Sequence, residues 1–201
     1  NTAIYLINAP VKLQDGQNFS TLLGSDGSAI NYTVISTRTA LDAIRTNSTT
    51  LAGNYALGAN LALSGNWTPI GDLTWSQGNW STNYWDVFTQ VNPFKGKLDG
   101  LGNAISGLVV NKTSGNAAGL FGATDGATIN NLQIANASIR LPDNGHEGGG
   151  AAVLIGSAYN TSVSNVHVDG TVSGRARIGG LIGDASGSTT VDGSFANVTV
   201  T

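Results

Sequence analysis

Phe94-Lys-Gly-Lys-Leu-Asp-Gly-Leu-Gly-Asn-Ala-Ile-Ser-Gly-Leu-Val-Val-Asn111, with Gly119-Leu-Phe-Gly122 shortly after it, is the stretch from which the fold is read. Its form recurs downstream as an apolar triplet spaced by two residues and then by one. The copies are Ile105/Leu108/Val110, Ile129/Leu132/Ile134 and Val163/Val166/Val168, with a degraded one through Val191/Ser194/Ala196/Val198. Each of the last three follows a small-apolar run ending in glycine: Gly119 to Gly122, Ala152-Val-Leu-Ile-Gly156 and Gly180-Leu-Ile-Gly183. The gap from that glycine to the next triplet is seven, seven and eight residues, while triplets start 24, 34 and 28 apart. A constant short gap beside a variable long one describes a single repeated unit with loops inserted at a fixed corner.

Periods between about 20 and 50 residues belong to solenoids and propellers. The apolar runs are short, rich in Val and Ile, and separated by Gly, Asn, Asp and Ser, which is strand-and-turn chemistry. One strand pair of this length cannot bury its apolar face, so each unit depends on stacking against the next. A propeller blade needs roughly 40 residues and four strands per repeat, and the seven-residue gap is too tight for it. The expectation is an all-β parallel β-helix spanning residues 1–201 as one domain, with about 8 coils at about 25 residues each.

Charged residues make up 10% of the chain, against roughly 25% in ordinary domains. So neutral a surface lacks the clustered Lys and Arg that nucleic acid requires, and a net charge of −3 steers no partner. There is no cysteine, which removes disulfides and thiolate chemistry. No stretch approaches the ~20 apolar residues of a membrane-spanning helix, so no membrane insertion is expected. The start at Asn1 and the stop in mid-pattern at Thr201 suggest a segment of a larger polypeptide.

In chain order, Ile4, Leu6, Val11 and Leu13 suggest two short strands, and Tyr32 to Ile35 another. Thr39-Ala-Leu-Asp-Ala-Ile-Arg45 is the one convincing helical turn, with Thr39 as its cap. The alternation from Gly53 to Gly65 should supply two strands. Composition then breaks: all four tryptophans, Trp67, Trp75, Trp80 and Trp85, lie before Phe94, together with Tyr84 and Phe88. Residues 72–93 lack the coil pattern and read as an extra-helical insertion.

The order of Leu51-Ala-Gly-Asn-Tyr-Ala-Leu-Gly-Ala-Asn-Leu-Ala-Leu63, Trp67-Thr-Pro-Ile-Gly71, Phe94 to Gly102 and Gly119 to Gly122 resembles the GLUG-type repeat region of filamentous-haemagglutinin-like and high-molecular-weight adhesins. The likeness covers roughly residues 30–201 and implies that the parallel β-helix is right-handed. It implies a non-enzymatic, monomeric segment of a secreted bacterial surface protein that attaches to a host-cell receptor or glycan. It also implies an outer-membrane secretion partner for the full-length protein. The same repeats decorate some large cell-wall proteases, so the resemblance fixes the module better than the parent. The long aromatic insertion departs from the usual short link, and no role for it carries over.

Parallel β-helices include many polysaccharide-cleaving enzymes, and glycoside hydrolysis needs two carboxyl groups about 5 to 10 Å apart. Asp99, Asp125, Asp169, Asp184 and Asp192 mostly sit beside glycine, as turn residues do. A carbohydrate-active enzyme or its polysaccharide-binding module is therefore the alternative, and a purely structural stalk a third. His146 and His167 have no second ligand at a diagnostic spacing; no metal or cofactor is expected. Binding is assigned to Trp75, Trp80, Tyr84 and Trp85, because aromatic faces stack on sugars and anchor interfaces. The plainer reading makes these rings a satellite core.

Nine Asn-x-Ser/Thr sequons, at Asn18, Asn31, Asn47, Asn66, Asn79, Asn111, Asn136, Asn160 and Asn197, are candidate N-glycosylation sites. Chance pairing of the Asn, Ser and Thr present would give roughly four. Turns that favour all three residue types offer the other explanation.

Overall fold

The computed structural model describes residues 7, 9–21, 29–76, 87–113, 115–142, 149–175 and 177–201. The chain enters through β1 (Asn18–Thr21) and β2 (Ile30–Ile35), followed by helices α1 (Arg38–Ala43) and α2 (Ser48–Leu51). Strands β3 (Asn54–Leu57) and β4 (Leu61–Ala62) lead to a hairpin, β5 (Asp72–Ser76) and β6 (Val87–Val91). The chain then continues through β7 (Lys97–Asp99), β8 (Ala104–Ser106) and β9 (Val109–Asn111). Three regular coils complete it. The first holds β10 (Ala117–Ala118), β11 (Phe121–Asp125) and β12 (Thr128–Arg140). The second holds β13 (Gly150–Ala151), β14 (Ile155–Tyr159) and β15 (Ser162–Ser173), and the third β16 (Ile182–Ser186), β17 (Thr190–Asp192) and β18 (Phe195–Val200).

The strands stack in parallel from coil to coil, making the parallel β-helix that the triplets require. The main sheet runs β1-β2-β3-β7-β12-β15-β17, with only the β1–β2 pair antiparallel. A second face stacks β11, β14 and β16, and a third pairs β10 with β13. The glycine-ended runs lie on the second face, where Phe121, Ile155 and Ile182 are successive register partners. Some three turns are complete, not eight, because the first half of the chain spends its residues on helices, the hairpin and long connections.

Period-2 alternation sends one residue of each pair inward, and these form columns. Ile129 stands opposite Val163 and Val163 opposite Val191; Ile134, Val168 and Ala196 form the next column. Ile129, Leu132, Ile134, Val163, Val166 and Val168 are all buried in one continuous core. Burying such a side chain is worth about 1.5 to 3 kcal/mol. The first triplet is out of register with the others. Ile105 pairs with Ile134, and the counterpart of Ile129 is Leu98. Between these pairs the earlier coil runs through Gly100-Leu-Gly-Asn103, with Leu101 and Gly102 in the left-handed region. The later coil makes the same bend with two residues.

Four bends, three within the long strands and one between β14 and β15, fall on asparagine. Asn131, Asn136, Asn160 and Asn165 have φ of 52°, 54°, 49° and 51°, a region asparagine enters more readily than other residues bearing a Cβ. One bend is cross-linked along the stack. Asn165 Nδ2 donates to Asn131 Oδ1 at 2.9 Å, and Asn131 Nδ2 donates to Asp99 Oδ1 at 3.2 Å.

The single helical turn expected at Thr39 is two helices. Thr37, not Thr39, caps α1, its hydroxyl accepting from the Ala40 amide at 3.2 Å. A capping box built on Asn47 and Thr50 starts α2, which is too short for periodicity to reveal. Leu41, Ile44 and Leu51 of this region join the main core. Of the strands expected near the start, Ile4 and Leu6 lie outside the described residues, while Val11 and Leu13 are in no strand.

Candidate functional site

The hairpin leaves the coil in the middle of a strand position. Ile70 bridges to Phe121 and Phe94 bridges to Thr124, both on β11. Four backbone bonds hold these two points. The Ile70 amide donates to Leu120 O at 3.0 Å and the Gly122 amide to Ile70 O at 2.8 Å. The Phe94 amide donates to Ala123 O at 3.0 Å and the Asp125 amide to Phe94 O at 3.0 Å. The coil therefore keeps its register on either side of the excursion. Gly71 (φ +74°) and Asn92 (φ +51°) turn the chain out and back. A Cβ on Gly71 would lie 2.4 Å from Ala123 O, so only glycine fits that exit.

β5 and β6 pair antiparallel from Asp72 opposite Val91 to Ser76 opposite Val87. Leu73 is buried against Ala117 and Ala123, which fastens the hairpin's base to the first regular coil. Beside that base is a cleft of about 200 Å³, lined by Arg45, Leu51, Thr68, Pro69, Asp72 and Lys112 among others. Lys112 reaches Asp72 at 3.8 Å and Arg45 reaches Asp42 at 3.1 Å. Both cations are thus paired, and the cleft presents alternating charge on an apolar floor. No local pattern announces it, because its residues come from the turn after α1, the end of α2, the connection into β5 with its first residue, and the connection after β9.

The aromatic residues divide. Trp67 is 1% exposed and donates its indole N–H to Leu120 O at 3.1 Å, with the Arg38 guanidinium 5.9 Å from its ring centre. Phe94 is fully buried, 4.9 Å from the Phe121 ring. Both belong to the scaffold. Trp75 is on β5 opposite Phe88. Trp80, Tyr84 and Trp85 lie outside the described residues, as does Asn79.

Asp99 is a corner residue. It is fully buried, and its Oδ1 accepts from the Leu101 amide at 2.9 Å as well as from Asn131. Asp125 pairs with Lys95 at 3.2 Å and Asp184 with Arg177 at 2.8 Å. His167 stacks on Phe195, its register partner one coil on, with ring centres 4.2 Å apart; His146 is outside the described residues. The other eight sequon asparagines are all exposed.

Two tyrosines are perturbed. Burial raises Tyr55 above the usual phenol value, and its hydroxyl donates to Thr50 O at 2.7 Å. Burial also raises Tyr32; the Asp99 charge pushes the same way, and a hydrogen bond with Thr21 opposes both.

No family model matches the chain, and no solved structure does either. The chain is similar to halomucin of Haloquadratum walsbyi (strain DSM 16790 / HBSQ001), at 38% identity over 166 residues, which is 79% of this chain. It spans 2% of that protein's length. What the comparison carries is thus a likeness to one short stretch of a very long polypeptide, compatible with a surface-associated protein.

Proposed function

We infer that this chain is a binding segment of a surface-exposed or secreted polypeptide, in which the β-helix is a rigid, non-enzymatic support and the hairpin is the part that makes contact. The observation that carries the reading is the mid-strand extrusion at Ile70 and Phe94, where the coil keeps four backbone bonds while the insertion projects from it. Scaffolds that place function on loops have this organisation. The likeness to part of halomucin supports the surface location. The ligand proposed is a glycan, because the hairpin carries Trp75 and its connecting segment Trp80, Tyr84 and Trp85, and sugar rings stack on aromatic faces. Host-cell attachment and an outer-membrane secretion partner rest on the adhesin resemblance alone.

The test is a glycan and host-matrix binding screen of the chain beside a variant in which residues 74–89 are replaced by a short Gly-Ser link, leaving buried Leu73 in place. A reducing-end assay on acidic polysaccharides runs in parallel. Binding by the parent and none by the variant, with unchanged melting, is the expected result. Turnover in the assay, or equal binding by both proteins, overturns the reading.

A further inference from the structure

The sequons are set apart from the other asparagines by where the fold puts them. All eight that are described have an exposed asparagine, and in each the Ser or Thr two residues on is exposed too. The remaining described asparagines behave differently. Asn103, Asn116 and Asn131 are buried, Asn54, Asn130 and Asn165 are half-buried, and only Asn60 and Asn92 are exposed. Turn chemistry explains why asparagine is common here, but it does not explain why every described sequon asparagine is exposed while most of the others are not. A modifying enzyme needs both the amide and the hydroxyl within reach, and that requirement does.

Side-chain bonding divides the eight further. Asn47 Oδ1 accepts from the Thr50 amide at 3.0 Å, and Asn66 Oδ1 from the Asn111 amide at 2.7 Å. Asn160 Oδ1 accepts from the Ser188 amide at 2.9 Å, and Asn111 Oδ1 from Arg140 at 3.4 Å. These four are held in fixed orientations by the fold. Among the described residues, no such bond holds the side chains of Asn18, Asn31, Asn136 or Asn197. Asn18 and Asn31 are on the antiparallel β1–β2 pair, where each stands opposite the other sequon's hydroxyl residue: Asn18 opposite Thr33, Asn31 opposite Ser20. Asn136 and Asn197 flank Asp169 on one corner. The Asn136 amide donates to Asp169 Oδ1 at 2.8 Å, and Asn197 is the register partner of Asp169.

We propose that the chain is N-glycosylated at Asn18, Asn31, Asn136 and Asn197 in preference to Asn47, Asn66, Asn111 and Asn160. The reaction transfers a sugar from a phosphate-linked donor, either a nucleotide sugar or a lipid-linked one. A bond forms between the sugar's C1 and Nδ2 of the asparagine. The C1–oxygen bond to phosphate breaks, the phosphate leaves with the electron pair, and the amide gives up one proton. The inference rests on the surface location proposed above, since it requires the chain to meet a glycosylating machinery.

The experiment is glycopeptide mass mapping of the chain from its native source, after separating surface and secreted material from the cell interior. Sugar mass on the first four asparagines, at higher occupancy than on the second four, is expected. Surface-derived chain with all eight peptides unmodified overturns this inference and leaves the location standing. Chain found only in the cell interior overturns both. Equal or higher occupancy on the second four overturns the selection. Asn→Gln at each of the first four should remove that site's sugar mass without moving the melting temperature, whereas Asn66→Gln should lower it.

Discussion

Ile70 and Phe94 occupy one strand position between them, bridging to Phe121 and Thr124 of the same strand although the whole hairpin intervenes in sequence. The next two coils fill the corresponding position with single uninterrupted strands, β11 and β14, paired along their length. The insertion therefore adds chain without adding a coil, and its exit residue becomes a test of the arrangement.

Gly71→Ala places a Cβ 2.4 Å from Ala123 O at φ +74°. A left-handed residue with a side chain costs about 1 to 2 kcal/mol before any clash, so a loss on the order of 2 kcal/mol or more is expected in urea titration. Glycan binding should fall with it if the hairpin's exit angle matters. Unchanged stability would mean that the exit is not as drawn.

The stacked columns predict a larger effect. Ile134 is fully buried between Ile105 and Val168. Ile134→Ala should cost about 2 to 5 kcal/mol, read as a shift in denaturation midpoint with little change in slope. Ser138→Ala, exposed one corner further on, is the control and should change stability by about 0.5 kcal/mol or less.

The Asn131 side chain links three coils, between Asp99 and Asn165. Asn131→Ala deprives buried Asp99 and half-buried Asn165 of a bond and puts alanine at φ +52°. A loss of about 1 to 3 kcal/mol is expected from the unsatisfied groups, with the left-handed strain added. Asn131→Gly relieves the strain and not the lost bonds, so the difference between the two variants isolates the ladder.

Alkaline stability should track Tyr55 and Tyr32, both raised above the usual value chiefly by burial. The folded chain holds these protons more tightly than the unfolded chain, whose tyrosines ionise near pH 10. Stability is therefore complete below about pH 10 and falls as pH climbs from there through the higher folded values. Urea midpoints from pH 8 to 11.5 should show that decline, and Tyr55→Phe should make it shallower. A midpoint rising above pH 10 would contradict the sign.

The parts legible in the sequence were those set by local period. Ile129/Leu132/Ile134 and Val163/Val166/Val168 share spacing because their coils bend at equivalent asparagines, and they stack as that spacing requires. Ile105/Leu108/Val110 has the same spacing but stacks one bend further along, with Ile105 opposite Ile134 and Val110 opposite Ile139. The partner of Ile129 is Leu98, on the near side of the longer Gly100–Asn103 turn. Spacing fixes which face a residue takes but not how many residues a bend consumes. The same limit applied to the aromatics. Trp67 and Phe94 are core residues at the roots of the insertion, yet composition groups them with Trp75, Trp80 and Trp85. The charged cleft was not legible, because Arg45, Asp72 and Lys112 meet only when three coils are superposed.

The closeness of Ile70 and Phe94 on β11 also bears on how such a protein can change over generations. A segment whose two ends are clamped within one strand position can lengthen, shorten or be exchanged without re-registering the coils above and below. Mutations in the hairpin and mutations in the columns then face separate selection, one for what is contacted and one for staying folded. A polymer of such coils could diversify its contacts at one doorway while its frame stays nearly constant.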